Sequence, residues 1–237
     1  MLDTVKRESI YQPRQPGLKF PEKPVFATHA EERRHRQQRL VAACRAFAVH
    51  GLDYGFAGHL TIRDPEHPEL YWTNPMAVHF AQVRLGNLIL ADHKGRVVQG
   101  SHAINRAGFV LHAAVHEAHP DILAMCHAHT VYGVAYAALG RPLPPVTQDA
   151  CAFFEDHVVI SDEGGKVAVE EQAGHNFAAA FKGVKAAIHQ NHGLITASRH
   201  SIEAAAFWFI ALERCCQQQL MLDATGITPT LVPPDKA

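Results

Sequence analysis

The sequence predicts a single layered α/β domain, and three observations predict it. The 237 residues, 47% of them hydrophobic and 19% charged, suffice for one continuous core. Segments with strand and helix periods are mixed along the whole chain. No internal repeat, low-complexity tract or linker divides it.

Taken in order, residues 1–30 are rich in proline and charge, with Pro13, Pro16, Pro21 and Pro24 among them, and read as an arm on the surface or on a neighbouring subunit. Leu40, Val41, Cys44, Phe47 and Ala48 recur at helical spacing, which predicts an amphipathic helix from Glu31 with Gly51 past its end. Short strands follow over His59–Arg63, Glu69–Thr73, Asn87–Ala91 and Arg96–Gln99, separated by turn signals, and suggest a meander. Beyond Gly100 the chain alternates. A helix is expected over Arg106–Ala118, a strand over Ile122–His129 and a helix over Val131–Leu139. After the proline-rich link from Arg141 to Pro145 come a strand at His157–Ile160, a helix at Glu170–Phe181 and a strand at Val184–Gln190. A long helix from Ser201 to Leu222 closes the domain of residues 31–222, leaving 223–237 as a tail. Ile202, Ala206, Phe209, Ile210, Glu213, Cys216 and Leu220 share one mostly apolar stripe of that helix.

Composition excludes several functions. The 22 Lys and Arg against 23 Asp and Glu leave no basic excess to hold nucleic acid. The five cysteines (Cys44, Cys126, Cys151, Cys215 and Cys216) form no CxxC pair, which points to a reduced compartment rather than a disulfide framework. With no apolar leader at the N-terminus, a cytoplasmic address is expected. Ile122–Gly140 lacks Asp, Glu, Lys and Arg but carries His127, His129, Thr130 and two glycines, so a buried strand and helix are expected there rather than a membrane span. Histidine is in excess, 18 residues, and that points to metal or proton chemistry.

The sharpest local signal is His127-Ala128-His129, because residues i and i+2 of a strand project from one face and can converge on one ion. His192, where a strand runs into a turn at Gly193, offers a third ligand. Three imidazoles with an open position suit Zn²⁺, Mn²⁺ or Fe²⁺; separate core or surface histidines are the alternative. His112 and His116 lie one helical turn apart, but Ala113 stands where a zincin needs Glu, so they read as a hydrogen-bonded helix face or as outer support for the site. GxGxxG, the phosphate-loop lysine and GxSxG are absent. Cys215-Cys216 and Phe207-Trp208-Phe209 read as packing.

Four segments in order, Gly58-His59-Leu60-Thr61-Ile62-Arg63, Ile104-Asn105-Arg106-Ala107-Gly108-Phe109-Val110-Leu111-His112, His127-Ala128-His129-Thr130 and Asn191-His192-Gly193-Leu194, resemble the class II aldolase/adducin family, and within it the adducin head subgroup. The resemblance implies a three-layer αβα sandwich, a homotetramer with sites between subunits, and a divalent metal, Zn or Mn foremost and Fe(II) as an alternative, held by His127, His129 and His192. Two motifs depart from the sugar-phosphate aldolases. Their acid/base glutamate, four residues before His112, is Gly108 here; their phosphate-holding serines are Arg106 and Ala107, and their phosphate loop is Thr73-Asn74-Pro75-Met76. These departures argue against a phosphorylated sugar.

What remains predicts a metal-dependent carbon–carbon lyase, a decarboxylase or retro-aldolase, on a small carboxylated and possibly hydroxyaromatic substrate. Arg106 suits a carboxylate, Gln148 is a second substrate contact, His59 and His116 are the acid/base or contact residues, and His112 supports the site from behind. An Fe(II) oxygenase with the same three histidines and a non-catalytic adducin-head-like assembly module are the alternatives.

Overall fold

In a computed structural model, which describes residues 15–20, 22–161 and 171–237, eight strands form one mixed sheet between two helical layers. Helix α1 (His29–Val49) begins where Thr28 accepts a hydrogen bond from the Glu31 amide. Strands β1 (Gly58–Arg63), β2 (Leu70–Thr73), β3 (Ile89–Asp92) and β4 (Val97–Gln99) make the expected antiparallel meander. Then come α2 (Arg106–Ala118), β5 (Ala124–Ala128), α3 (Val131–Ala137), α4 (Gln148–Cys151), β6 (His157–Ile160), α5 (Glu171–Phe181), β7 (Ala186–His189), β8 (Gly193–Ser198) and α6 (Ile202–Ala224). The spatial order is β4-β3-β2-β1-β5-β8-β7-β6, so β5 and its neighbours β1 and β8 occupy the centre.

Alternation along the central strands assigns the layers. Leu60, Ile62, Cys126, Ala128 and Leu194 pack with α1 and α6, around Leu40, Phe47, Phe209 and Leu212. Met125, Ile195 and Ala197 point the other way, onto Leu111 and Val115 of α2 and Phe177 and Phe181 of α5. The three-layer αβα sandwich is therefore the observed fold. The polar side chains of β1 and β5 belong to the second face: His59 stands opposite His127, and Thr61 opposite Met125. Buried imidazoles thus line the sheet beneath α2.

The chief departure from the sequence reading is β8, which was expected to be loop after a strand ending at Gln190. Both its faces are buried, so Gly193–Ser198 shows no alternation. It pairs with β7 as a hairpin, with Asn191 left-handed at φ 58° in the turn. Strand β5 also stops at Ala128, placing His129 one residue beyond it, and α6 runs to Ala224. Of the predicted arm, residues 1–14 and 21 lie outside the described residues, as does Glu170, the expected start of α5. The described arm has no helix or strand before α1, and Phe26 rests against the His35 ring, with centroids 4.9 Å apart. No described helix is long and apolar enough to cross a membrane.

Candidate metal centre

His127 is the penultimate residue of the central strand β5 and is buried; His129 and His192 are partly exposed, one just past β5 and the other in the β7–β8 turn. One ring nitrogen from each falls within 4.8 Å of the others, and the ring centroids are 4.8 to 5.0 Å apart. Backbone hydrogen bonding brings them together. β5 pairs with β8 in a register that puts Ala128 opposite Leu194, and Gly193 allows the turn to lie close to the Ala128 carbonyl, 3.3 Å from where a Cβ would stand.

The donor set fits a divalent cation. His127 Nδ1 donates to the Leu194 carbonyl at 2.8 Å, which fixes its tautomer and leaves Nε2 with a free lone pair, the arrangement by which proteins orient a ligating imidazole. His192 Nδ1 has no hydrogen-bond partner. Burial, reinforced by the neighbouring imidazoles, holds His127 well below the usual histidine range and His192 at about 3, while burial lowers His129. All three are neutral at pH 7 and able to bind metal.

Around this triad the structure brings together further imidazoles. The His59 ring lies 5.3 Å from His127 and 4.0 Å from His112, centroid to centroid. It fills the space beside Gly108: a Cβ on that residue would stand 2.1 Å from His59 Cε1. The glycine on α2 thus makes room for an imidazole from β1. Neither ring nitrogen of His59 has a well-formed hydrogen bond, and burial together with His112, His192 and His129 keeps it neutral.

His112 and His116 are joined through Thr61. His116 Nδ1 donates to the Ile122 carbonyl at 3.1 Å, so its Nε2 accepts from the Thr61 hydroxyl at 3.0 Å. Thr61 Oγ1 in turn accepts from His112 Nδ1 at 2.9 Å, which leaves His112 Nε2 an acceptor with no partner. His116, expected as an acid/base or contact residue, is tied into the protein by this geometry. Both of its nitrogens are committed, and its ring is stacked on Tyr71 at 4.6 Å. His112 lies 4.0 Å from His59, centroid to centroid, on the side toward Thr61.

Arg106 and Gln148 are not brought to the triad in this chain. Arg106 leaves α2 on the side opposite Gly108 and His112 and lines a surface cleft with His93, Lys94, Val110, Glu117 and His175. The sequence reading placed it beside the metal; two positions before Gly108, it lies nearly opposite that glycine around the helix. Gln148 is exposed at the first position of α4. Sequence reasoning missed Glu213, taken as part of an apolar stripe. Its buried carboxylate reaches from α6 to the residues that follow His129, accepting from Thr130 Oγ1 at 2.5 Å, Gly133 N at 2.7 Å and Tyr132 N at 3.1 Å. A lone acid amid buried apolar positions of a helix was the signal that could have found it.

The chain resembles known proteins over most of its length. The decarboxylase NovR of Streptomyces niveus is 44% identical over 220 residues, 92% of this chain and 80% of that protein. The 4-hydroxy-3-prenylphenylpyruvate oxygenase/4-hydroxy-3-prenylbenzoate synthase of Streptomyces roseochromogenus subsp. oscitans is 44% identical over 209 residues, 87% of this chain and 75% of that protein. The solved structure of L-fuculose 1-phosphate aldolase from Glaciozyma antarctica PI12 superposes with a TM-score of 0.83 and 40% identity, over 90% of this chain and 83% of that one. The family described as Class II Aldolase and Adducin N-terminal domain matches residues 38–220, and the chain belongs to that family.

Proposed function

We propose that this protein is a metal-dependent carbon–carbon lyase that removes a carboxylate, or a fragment next to one, from a small hydroxyaromatic acid at His127, His129 and His192. The observation that carries the reading is a triad of three neutral imidazoles joined by no acidic ligand among the described residues. A divalent metal held there would keep its full charge for an anionic substrate and supply Lewis acidity to a carbonyl or phenolate oxygen. Cleavage of the bond to carboxylate releases CO₂ and leaves the electron pair on the substrate, where delocalisation toward that oxygen stabilises it until a proton is taken up. Starting this reaction requires no base, so Gly108 in place of a glutamate is compatible with it. His59 is the side chain we assign to a substrate oxygen, with neither ring nitrogen in a well-formed hydrogen bond to the protein. Thr61, His112 and His116 hold the wall behind it. A metal held by these histidines would supply positive charge for a carboxylate, the part expected of Arg106.

The name of one Streptomyces relative, a decarboxylase, supports this class, and the name of the other, an oxygenase of a prenylated hydroxyphenylpyruvate and synthase of a prenylated hydroxybenzoate, supports a hydroxyaromatic substrate. The second name favours one further reading, an Fe(II) oxygenase on an aromatic 2-oxo acid with the same three ligands. Exposed Tyr54, Phe56 and Val131 support an assembly larger than one chain, and we propose the homotetramer, in a cytoplasmic setting.

Hydroxyaromatic 2-oxo and 2-hydroxy acids incubated with the metal-loaded protein, with CO₂ and O₂ followed together, test the reading. CO₂ release without O₂ uptake is the expected result. Stoichiometric O₂ uptake would establish the oxygenase instead, and no turnover of any such acid by metal-loaded protein would contradict both.

A further inference from the structure

Thr130 occupies the N-cap position of α3, where a threonine hydroxyl ordinarily accepts a hydrogen bond from the helix's own amides. Here it makes no such bond. Its hydroxyl donates to Glu213, and the Glu213 carboxylate accepts from the second and third amides of the helix, Tyr132 and Gly133. An acid from α6 thus does what Thr130 could do alone. Burying a carboxylate is costly, and burial does push Glu213 above the usual carboxylate range. A helix cap is a small return for that cost, whereas fixing the segment that carries His129 would account for it.

The surrounding packing has the same focus. A Cβ on Gly133 would stand 2.6 Å from both Thr130 Oγ1 and Leu194 Cδ1, so only glycine lets α3 approach this closely. Leu194 is the residue whose carbonyl orients His127, and it is the second residue of β8, two positions after His192. Glu213, Thr130, Gly133 and Leu194 therefore form one contiguous set that touches the chain beside each of the three histidines.

We propose that Glu213 is a positioning residue of the metal centre, its carboxylate anchoring Thr130 and the start of α3 so that His129 is held in register with His127 and His192. This rests on the reading of those histidines as metal ligands. The role is exerted through the backbone: Glu213 touches neither metal nor substrate, and it sets the geometry of a ligand one residue away from its hydroxyl partner.

Cobalt(II) titration of metal-free protein, read by the visible absorption of the bound ion, tests it. Glu213→Ala is expected to weaken cobalt binding about 10- to 100-fold and to alter the spectrum, as losses of outer support do at metal centres. Glu213→Gln, which keeps one acceptor oxygen, and Thr130→Val, which removes only the hydroxyl link, are expected to fall between it and the wild type. Asp64→Asn breaks a buried network with Arg33 and Trp72 elsewhere in the fold and serves as the control for instability alone. It is expected to lower the melting temperature and leave the cobalt affinity unchanged. Wild-type affinity and spectrum in folded Glu213→Ala would overturn the proposal; if that variant does not fold, wild-type behaviour of Glu213→Gln and Thr130→Val would overturn it equally. Equal weakening by Asp64→Asn would reduce Glu213 to a structural cap and also overturn it. A wild-type chain that takes up no cobalt would instead overturn the metal reading beneath it.

Discussion

Gly108→Ala is expected to destabilise the protein by at least about 2 kcal/mol, although helix propensity alone would have the substitution stabilise α2 by up to about 1 kcal/mol. The added methyl would stand 2.1 Å from His59 Cε1 and 2.3 Å from Nδ1, far inside contact distance. His59 has little freedom to retreat. It is buried, its backbone is paired with His127 across β1 and β5, and the His112 ring lies 4.0 Å away. Gly108→Glu adds a larger side chain at the same point and is expected to cost more, so restoring the aldolases' carboxylate does not by itself restore their acid/base group. Urea denaturation of Gly108→Ala, His59→Ala and the double variant checks this. The penalty for Gly108→Ala is expected to vanish once His59 is alanine, with a coupling of more than about 1 kcal/mol between the two sites. A neutral or stabilising Gly108→Ala in the presence of His59 would contradict the interlock.

The second large effect is acid lability of the metal-free protein. Burial holds folded His116 at about 3 and His112 well below the usual 6.5, the range in which the same residues titrate once unfolded. Their folded values are depressed and they are bases, so below about pH 6.5 the unfolded chain binds protons that the folded chain does not. Stability is therefore complete above that pH and falls as the pH drops toward 3. Each such histidine removes about 1.4 kcal/mol per pH unit, and the pair about 2.7, against a total stability on the order of 10 kcal/mol. Asp64, held far below the usual carboxylate range by Arg33 and Trp72 against the cost of burial, adds a further loss below about pH 4, as the unfolded carboxyl protonates. Denaturation free energies in EDTA are expected to be nearly level above about pH 7 and to fall below about pH 6 with a slope that approaches at least two protons, and His116→Phe, which keeps an aromatic ring against Tyr71, is expected to lower that slope by about one. Stability that stays constant between pH 7 and 5 would contradict the neutral, buried state of these rings.

The layered fold and the cluster of three histidines were legible because they are written in short-range pattern. His127 and His129 announce themselves by strand spacing, and His192 by its turn with Gly193. Strand β8 was not legible, since burial of both faces erases the alternation by which a strand is read. Arg106 was not placed by short-range pattern, because two positions from Gly108 in sequence is near opposition on a helix. His116 offered the residue type of a catalyst, but its two nitrogens are consumed by Ile122 and Thr61, partners 6 and 55 residues away in sequence. Glu213 acts on residues 80 to 83 positions distant, and no local pattern carries that information. What single-sequence reading loses here is long-range hydrogen bonding, the part of the site that decides which histidines are free to work.

The central claim, that three histidines hold a catalytic metal, is tested most directly by the metal content of protein purified without oxygen or chelators, in the wild type and in His192→Ala. About one divalent metal per chain in the wild type, lost from a folded His192→Ala, is the predicted result, with Zn or Mn supporting the lyase and Fe the oxygenase. A wild type without stoichiometric metal, or a His192→Ala variant that retains it, would contradict the account.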